Sequence, residues 1–209
     1  MRQHSSDYYS TIAELDAAIG GWLDELERRG LLENTYIVLM GDNGWFLGEH
    51  LLTSKVLAYE ESIRVPLLVS GPGIEPGVSE QLALNIDIAP TLLELARVPT
   101  PAKMYGRSLA KTVFNPGAAD GRDAFLYEIA PAADTARSPF IRALRTDRAK
   151  LIRTYRMGSD REVEFVELYD LAADPHETRN LAADPAHASL TESMNRRLDQ
   201  EIERVALKN

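Results

Sequence analysis

Four side chains that follow an apolar run are suited to binding a metal ion and an anion. Asp42 and Asn43 come directly after the run 36–40, and His50 and Lys55 follow shortly after. A carboxylate oxygen beside a carboxamide oxygen is a hard ligand pair that suits calcium or magnesium. Lys55 can act as a point charge for an oxyanion such as sulfate or phosphate. His50 can hydrogen-bond a substrate oxygen or orient a neighbouring group.

The same residue types also have simpler interpretations. Asp, Asn and Gly are common turn residues, so Gly41-Asp42-Asn43-Gly44 is also typical of a plain turn. A single histidine is more often structural, and a single lysine is usually a solvated surface group. Trp45 and Phe46 could line a sugar or aryl pocket, or they could belong to the core. Residue types alone leave these alternatives open.

Helix-like and strand-like segments alternate around this stretch, which predicts an α/β layered domain. The predicted segments are helices at 7–29, 58–62 and 91–97 and strands at 36–40 and 65–70. The first helix has an apolar stripe and should end at Gly30, and Asp87 should cap the last helix. The strands are continuous apolar runs, which predicts burial on both faces. Ligands bind beyond the carboxyl ends of strands in such sheets, where Asp42 and Asn43 stand.

The pattern changes after about residue 112, where loop signals precede a small antiparallel sheet and a closing helix. The predicted strands are 124–129, 140–145, 150–155 and 163–169, and the helix is about 187–206. We therefore expect two domains, 1–112 and 113–209. Asp174 and Glu177 are expected to cap a turn.

A cluster of basic residues lies on these later strands. It comprises Arg142, Arg145, Arg148, Lys150, Arg153 and Arg156. The cluster predicts either a solvated sheet face paired with nearby acids or a rim that attracts anionic substrates.

Composition excludes several classes of protein. The net charge of −9 argues against a nucleic-acid-binding protein. Cysteine is absent, which removes disulfides, thiolate metal sites and cysteine nucleophiles. No apolar run reaches the roughly 18 residues of a membrane span. The polar residues after Met1 do not form a secretory signal. The compartment is left open, and a periplasmic or secreted parent protein is compatible with the sequence.

The order of several motifs resembles the sulfatase family, of the arylsulfatase and iduronate-sulfatase type. The first is the Asp-Asn-Gly segment followed by Leu47-Gly48-Glu49-His50, with Lys55 five residues after the histidine. The others are Tyr59-Glu60-Glu61-Ser62-Ile63-Arg64-Val65-Pro66, Asp87-Ile88-Ala89-Pro90-Thr91, Gly106-Arg107-Ser108-Leu109 and Glu167-Leu168-Tyr169-Asp170. The resemblance covers nearly the whole chain. One departure is Leu51-Leu52-Thr53-Ser54, where many relatives have Gly and Trp after the histidine.

The resemblance implies a fold and a set of roles. The fold would be the C-terminal part of an alkaline-phosphatase-like α/β sandwich, followed by the small antiparallel subdomain. Asp42 and Asn43 would be calcium ligands. Lys55 would contact the sulfate and help neutralise charge on the leaving oxygen, and His50 would be a second catalytic residue. The substrate would be a sulfated small molecule or a sulfated sugar.

Part of the family's catalytic machinery does not occur in this sequence. The nucleophile of the family is a formylglycine, a hydrated aldehyde made within a Cys/Ser-x-Pro-x-Arg motif, and no such motif is present. Calcium also takes about six to eight oxygen ligands, more than one Asp-Asn pair supplies. We therefore expect the C-terminal half of an enzyme, inactive alone and partnered by the missing N-terminal half. The alternatives are a phosphonate or phosphate ester hydrolase of the same superfamily, and a non-catalytic pseudoenzyme half.

Overall fold

The computed structural model describes residues 2–118, 121–130 and 139–206, with side chains from Ser6 onward. The chain divides into two compact units. The first comprises Met1–Lys55 with Arg64–Asp120, and the second comprises Val56–Ile63 with Gly121–Asn209. The second unit is therefore discontinuous in sequence. The division expected near residue 112 stays a prediction, and the units add that residues 56–63 group with the later part of the chain.

The first unit begins with helix α1, Arg2–Arg28, which starts earlier than expected. Gly30 adopts a positive φ of 65° after it, where a side chain would be strained. The amides of Gly30 and Leu31 bond back to the carbonyls of Glu27 and Leu26, so α1 ends in a Schellman-type cap as the glycine predicted.

The apolar stripe of α1 is largely exposed in this chain. Ile12 is 45% exposed, Leu15 is 50% exposed and Trp22 is 66% exposed. A stripe of this width normally faces a core. Within the described residues of the first unit, this one is left uncovered along much of its length.

Two short strands form the sheet that leads to the candidate site. Strand β1, Ile37–Met40, pairs antiparallel with β4, Leu67–Ser70. Their expected burial on both faces is wrong for this chain, because Leu39 is 39% exposed and Leu68 is 57% exposed. The reason is that the described residues of the first unit leave parts of the faces of this two-stranded sheet uncovered. A second pair, β2 (Phe46–Leu47) with β3 (Thr53–Ser54), makes a short hairpin.

Two helices complete the first unit. A 3₁₀ turn at Asn85–Asp87 leads into α3, Ile88–Leu95, and α4 spans Ala110–Phe114. The prediction that Asp87 caps α3 is wrong, because its side chain makes no cap hydrogen bond to that helix. Its carboxylate instead accepts from backbone amides at Leu84 and Arg107.

The second unit contains the predicted antiparallel sheet with a terminal helix. The element α2, Glu60–Ile63, precedes four strands that pair in the order β5-β6-β7-β8. The strands are β5 (Ala124–Ile129), β6 (Ile141–Thr146), β7 (Ala149–Tyr155) and β8 (Val163–Asp170). Helix α5, Ala188–Ala206, packs Met194 and Leu198 against Leu144, Leu151 and Leu168. The expected α/β class, with a small sheet-and-helix part, is confirmed.

A buried charged cluster ties residues 56–63 to this sheet. Lys150 is fully buried, and its Nζ donates to the carbonyl of Ala58 at 2.8 Å. The same Nζ pairs with the carboxylates of Glu60 at 2.8 Å and Glu177 at 2.7 Å. Glu177 Oε2 accepts from the Glu60 amide at 2.6 Å.

Two expectations about charged residues need correction. Glu177 does not cap a turn, since its side chain is buried against Lys150. Asp174 alone caps the turn, accepting from the Thr178 hydroxyl and the Arg179 amide. The basic cluster is paired with acids, as one alternative held. The pairs are Arg142–Glu128, Arg145–Glu60, Arg153–Asp199 and Arg156–Glu162. The solvated part of that alternative is wrong for most of the cluster, because Lys150 is fully buried and the side chains of Arg142, Arg145 and Arg153 are largely buried.

Candidate functional site

The candidate site lies on the loop that leaves β1. Gly41 ends the apolar strand, and its amide donates to the carbonyl of Pro66 at 3.2 Å. A Cβ on Gly41 would meet the Val65 Cβ at 3.1 Å, so a small residue suits this crossing. The strand pair therefore fixes where the loop starts, and Asp42 is the first residue beyond it.

The structure brings Lys55 to Asn43. Lys55 Nζ donates to Asn43 Oδ1 at 2.8 Å, although the residues stand 12 positions apart. The β2–β3 hairpin pairs Phe46 with Ser54 and so returns the chain toward the loop. Lys55, directly after this hairpin, is exposed. Its ammonium group keeps further donors for another acceptor, because an ammonium carries three.

Asp42 and Asn43 are joined by contacts within the loop itself. The Asn43 amide donates to Asp42 Oδ1 at 2.8 Å, a local bond between neighbouring residues of the loop. Asn43 Nδ2 donates to the Gly44 carbonyl at 3.0 Å, so Oδ1 is the side-chain atom that faces Lys55. This local bonding is compatible with a ligand role, since the bond from the Asn43 amide engages Asp42 Oδ1 and not Oδ2.

His50 lies in a strained part of the same loop. Its φ is 53° and that of Leu51 is 61°, after a Gly48 φ of 133°. Non-glycine residues rarely adopt such positive values, and clusters of them often mark functional loops. The His50 ring packs edge-on against Phe46, with centroids 6.2 Å apart. This contact places His50 beside an aromatic ring and does not by itself assign it a role.

The two aromatic residues of the loop behave differently. Phe46 is 1% exposed and belongs to the core, whereas Trp45 is 45% exposed. The core interpretation therefore holds for Phe46. An exposed indole beside the loop has the surface needed to stack on a sugar or aryl group.

A second loop holds the first and was not predicted from sequence. Asn85 Nδ2 donates to the Asp42 carbonyl at 2.9 Å. Asn85 opens the 3₁₀ turn whose last residue, Asp87, is completely buried. The only sequence signal was that Asn85 stands two residues before a motif, beginning at Asp87, that resembles the sulfatase family. Its contact lies 43 residues away, which no local pattern reveals.

The side-chain oxygens of the loop that leaves β1 are compatible with part of a metal site. Asp42 and Asn43 present adjacent hard oxygens, which suits calcium. The described residues contain no group of three or more His, Cys, Asp or Glu side chains that could hold a metal. The loop therefore fits as part of a calcium site, and the remaining ligands would have to come from other residues.

No helix among the described residues is long and apolar enough to cross a membrane.

Comparison with known proteins relates the chain to one enzyme family. A family model described as N-sulphoglucosamine sulphohydrolase, C-terminal, matches residues 48–204. An N-acetylglucosamine-6-O-sulfatase of Bacteroides thetaiotaomicron is 35% identical over 95% of this chain and 36% of its own length. A choline-sulfatase of Rhizobium meliloti is 32% identical over 88% of this chain and 34% of its own. The chain thus spans about a third of the length of these relatives.

Solved structures resemble most of this chain. BT4656 in complex with its substrate D-glucosamine-2-N,6-O-disulfate superposes with a TM-score of 0.82 and 34% identity, covering 90% of this chain and 38% of that one. A phosphonate monoester hydrolase from Silicibacter pomeroyi gives a TM-score of 0.78 at 26% identity, covering 91% and 39%. With the family model matching most of its residues, the chain belongs to the sulfatase family and corresponds to the C-terminal domain of those enzymes.

Proposed function

We propose that this chain forms the C-terminal part of a calcium-dependent sulfatase that hydrolyses a sulfate ester of a sugar. Asp42 and Asn43 act as calcium ligands, Lys55 contacts the sulfate, and His50 donates to a substrate oxygen. The observation that carries the proposal is the 2.8 Å contact between Lys55 Nζ and Asn43 Oδ1. It supports the proposal because it puts a lysine cation beside an oxygen pair suited to calcium.

Lys55 is suited to an anionic substrate whose charge shifts during reaction. Its ammonium uses one donor on Asn43 and has two left for sulfate oxygens. When the ester bond breaks, negative charge grows on the leaving oxygen, and a fixed cation lowers the energy of that state. Bound calcium would add positive charge at the sulfate oxygens. A formylglycine, expected in the upstream part of the parent protein, would supply the nucleophile.

A sugar substrate is supported by the names of the relatives. One relative is an N-acetylglucosamine-6-O-sulfatase, and a structural neighbour is bound to a disulfated glucosamine. The exposed Trp45 also offers an indole face for a sugar ring. Sulfated sugars of this kind are therefore the first substrates to assay.

The chain alone is expected to be inactive. Its Asp-Asn pair supplies fewer oxygens than calcium requires, and no Cys/Ser-x-Pro-x-Arg motif is present. The exposed stripe of α1 and the open faces of β1 and β4 are the surfaces that the N-terminal half of the enzyme would cover. Exposed apolar patches of this kind commonly mark interaction surfaces.

The test uses the chain extended upstream to include a formylglycine motif, here named the extended enzyme. Lys55→Ala should cost about 2–4 kcal/mol of transition-state stabilisation, by analogy with the loss of one oxyanion donor. The matched control is Lys103→Ala, which removes another exposed lysine of the same unit and should leave turnover unchanged. A Lys55→Ala enzyme with wild-type kcat/KM would overturn the role of Lys55. An extended enzyme without turnover on any sulfate ester would favour the non-catalytic alternative.

A phosphonate monoester hydrolase is the second candidate function. It is favoured by the structural match to the Silicibacter pomeroyi enzyme, whose fold superposes nearly as well as the sulfatase structures. The two candidates are separated by assaying the extended enzyme on an aryl sulfate and an aryl phosphonate monoester. A higher kcat/KM on the sulfate supports the sulfatase, and the reverse order supports the hydrolase.

A further inference from the structure

One peptide unit of the candidate metal loop is hydrogen-bonded at both ends. The carbonyl oxygen of Asp42 accepts from Asn85 Nδ2 at 2.9 Å. The amide of Asn43, in the same peptide unit, donates to Asp42 Oδ1 at 2.8 Å. A peptide unit is planar, so two bonds at opposite ends fix its tilt. That tilt sets the backbone torsions on either side, and therefore the directions in which the Asp42 and Asn43 side chains leave the chain.

Asn85 is itself held by a rigid turn. Asp87, the last residue of that turn, is completely buried and accepts from the Leu84 amide and the Arg107 amide, both at 2.8 Å. The Thr91 hydroxyl donates to the Asp87 carbonyl at 2.6 Å. Buried charged groups with several hydrogen bonds resist displacement, because any movement leaves polar atoms unsatisfied.

Close backbone packing adds a second restraint on the turn. A Cβ placed on Gly106 would lie 1.8 Å from the Ile86 carbonyl oxygen, so a glycine alone fits there. Arg107, the next residue, supplies the amide that binds Asp87. The turn that carries Asn85 is therefore clamped from one side by Gly106 and Arg107. All of these residues lie in the first unit.

We propose that Asn85 is a positioning residue of the metal site, which presets the relative directions of Asp42 and Asn43 before an ion binds. This inference rests on the proposed function, because it assumes that these two residues are ligands. Asn85 contacts the main chain of Asp42 and acts through it. Two ligands held in advance bind an ion more tightly, since less ordering is required on binding.

The test measures calcium affinity of the extended enzyme by calorimetry for four variants, Asn85→Ala, Asn34→Ala, Asn85→Asp and Asp42→Ala. Asn85→Ala should weaken calcium binding about twofold to tenfold, the range of one hydrogen bond worth about 0.5–1.5 kcal/mol. At saturating calcium, kcat should return to within about twofold of wild type, because the ligands are still present. Asn34→Ala is the matched control. It removes another exposed asparagine from a 3₁₀ turn of the same unit, and its affinity should equal wild type.

A signal from the metal-free protein separates positioning from general stability. In the metal-free wild-type extended enzyme, the Asn43 backbone amide should give one sharp NMR resonance with slow exchange, and Asn85→Ala should broaden or shift it. The conservative Asn85→Asp replaces the donor by an acceptor and should reproduce the loss of affinity, with an unchanged melting temperature. Because Asn85 is exposed, neither variant should unfold the chain.

The outcomes separate a failure of the Asn85 role from a failure of the calcium assignment. If Asp42→Ala keeps wild-type calcium affinity, the metal assignment fails. If Asp42→Ala abolishes binding while Asn85→Ala binds calcium as wild type does, the metal assignment stands and the positioning role is overturned. A lower melting temperature for Asn85→Ala with unchanged affinity would also overturn it.

Discussion

Replacement of Lys150 by methionine tests the buried cluster in the second unit. The side chain is fully buried, so its removal leaves two carboxylates without the ammonium that faces them. Glu60 keeps Arg145, whose Nη2 lies 3.3 Å away, and Glu177 keeps the Glu60 amide at 2.6 Å. Breaking a buried ion pair by removal of one partner costs about 3–5 kcal/mol. We expect a loss of that size in the free energy of unfolding, or about 6–20 °C in Tm for a chain of this size.

The loss should depend on pH in a defined direction. Burial pushes the pKa of Glu60 upward, but Lys150 and Arg145 together outweigh it and leave that pKa below its usual value. Burial raises the pKa of Glu177, with Lys150 opposing the rise. In wild type, the Glu60 contribution is present above its unfolded pKa and is lost as pH falls through the lower folded pKa.

In Lys150→Met, both carboxylates lose an opposing cation, so both folded pKa values move up. A group with a raised carboxyl pKa stabilises the folded state when protonated, and that gain disappears as pH rises through the folded pKa. The difference between wild type and variant should therefore shrink on acidification. Urea denaturation at about pH 5 and about pH 8 measures it, since both lie in the usual range of folded stability. A loss below about 1 kcal/mol, the size of a surface ion pair, or one equal at both pH values would refute the reasoning.

Three further outcomes are expected. Gly106→Ala should lower the free energy of unfolding by about 3 kcal/mol, because the added Cβ would collide with the Ile86 carbonyl and overpack the turn. A melting curve equal to that of wild type would contradict this close approach. Asn180→Ala should lower the free energy of unfolding by about 1–3 kcal/mol, since Asn180 Oδ1 accepts from the Leu168 amide at 3.0 Å. Asn180→Asp keeps that acceptor, so urea denaturation should show a smaller loss for it. The chain by itself should show no calcium-dependent aryl sulfate turnover and should self-associate on size-exclusion chromatography; a calcium-activated monomer would show that the upstream half is dispensable.

Local patterns predicted the second unit well because its structure follows local rules. Its strands are short runs with strand-like composition that loop and turn residues separate, so β5 to β8 lie almost where they were predicted. The closing helix carries Met194 and Leu198 on one face, and those residues do pack on the sheet. In each case the residues that predict the element lie within it or directly beside it.

Predictions failed where the decisive partner is distant. The residues around Asp87 predict a helix cap, but its carboxylate accepts a hydrogen bond from the Arg107 amide, 20 residues further on. Glu177 looks like a turn residue, yet its partner Glu60 lies 117 residues earlier. The strands β1 and β4 look buried on both faces because their sequence is apolar, whereas burial depends on what covers them. The contact between Lys55 and Asn43 could be anticipated because both stand within one motif.

The discontinuity of the second unit has a consequence for biosynthesis. Residues 56–63 leave the ribosome long before Lys150 and Glu177 exist, and the longest of their contacts spans 117 residues. At about 5–20 residues per second, the segment waits about 6–23 seconds for that partner. Until then, the later residues that bury Ala58 and partly bury Tyr59 are missing from the half-made chain. The nascent chain is therefore exposed to misfolding and chaperone binding at this segment, and a translational pause between residues 63 and 150 would lengthen that exposure.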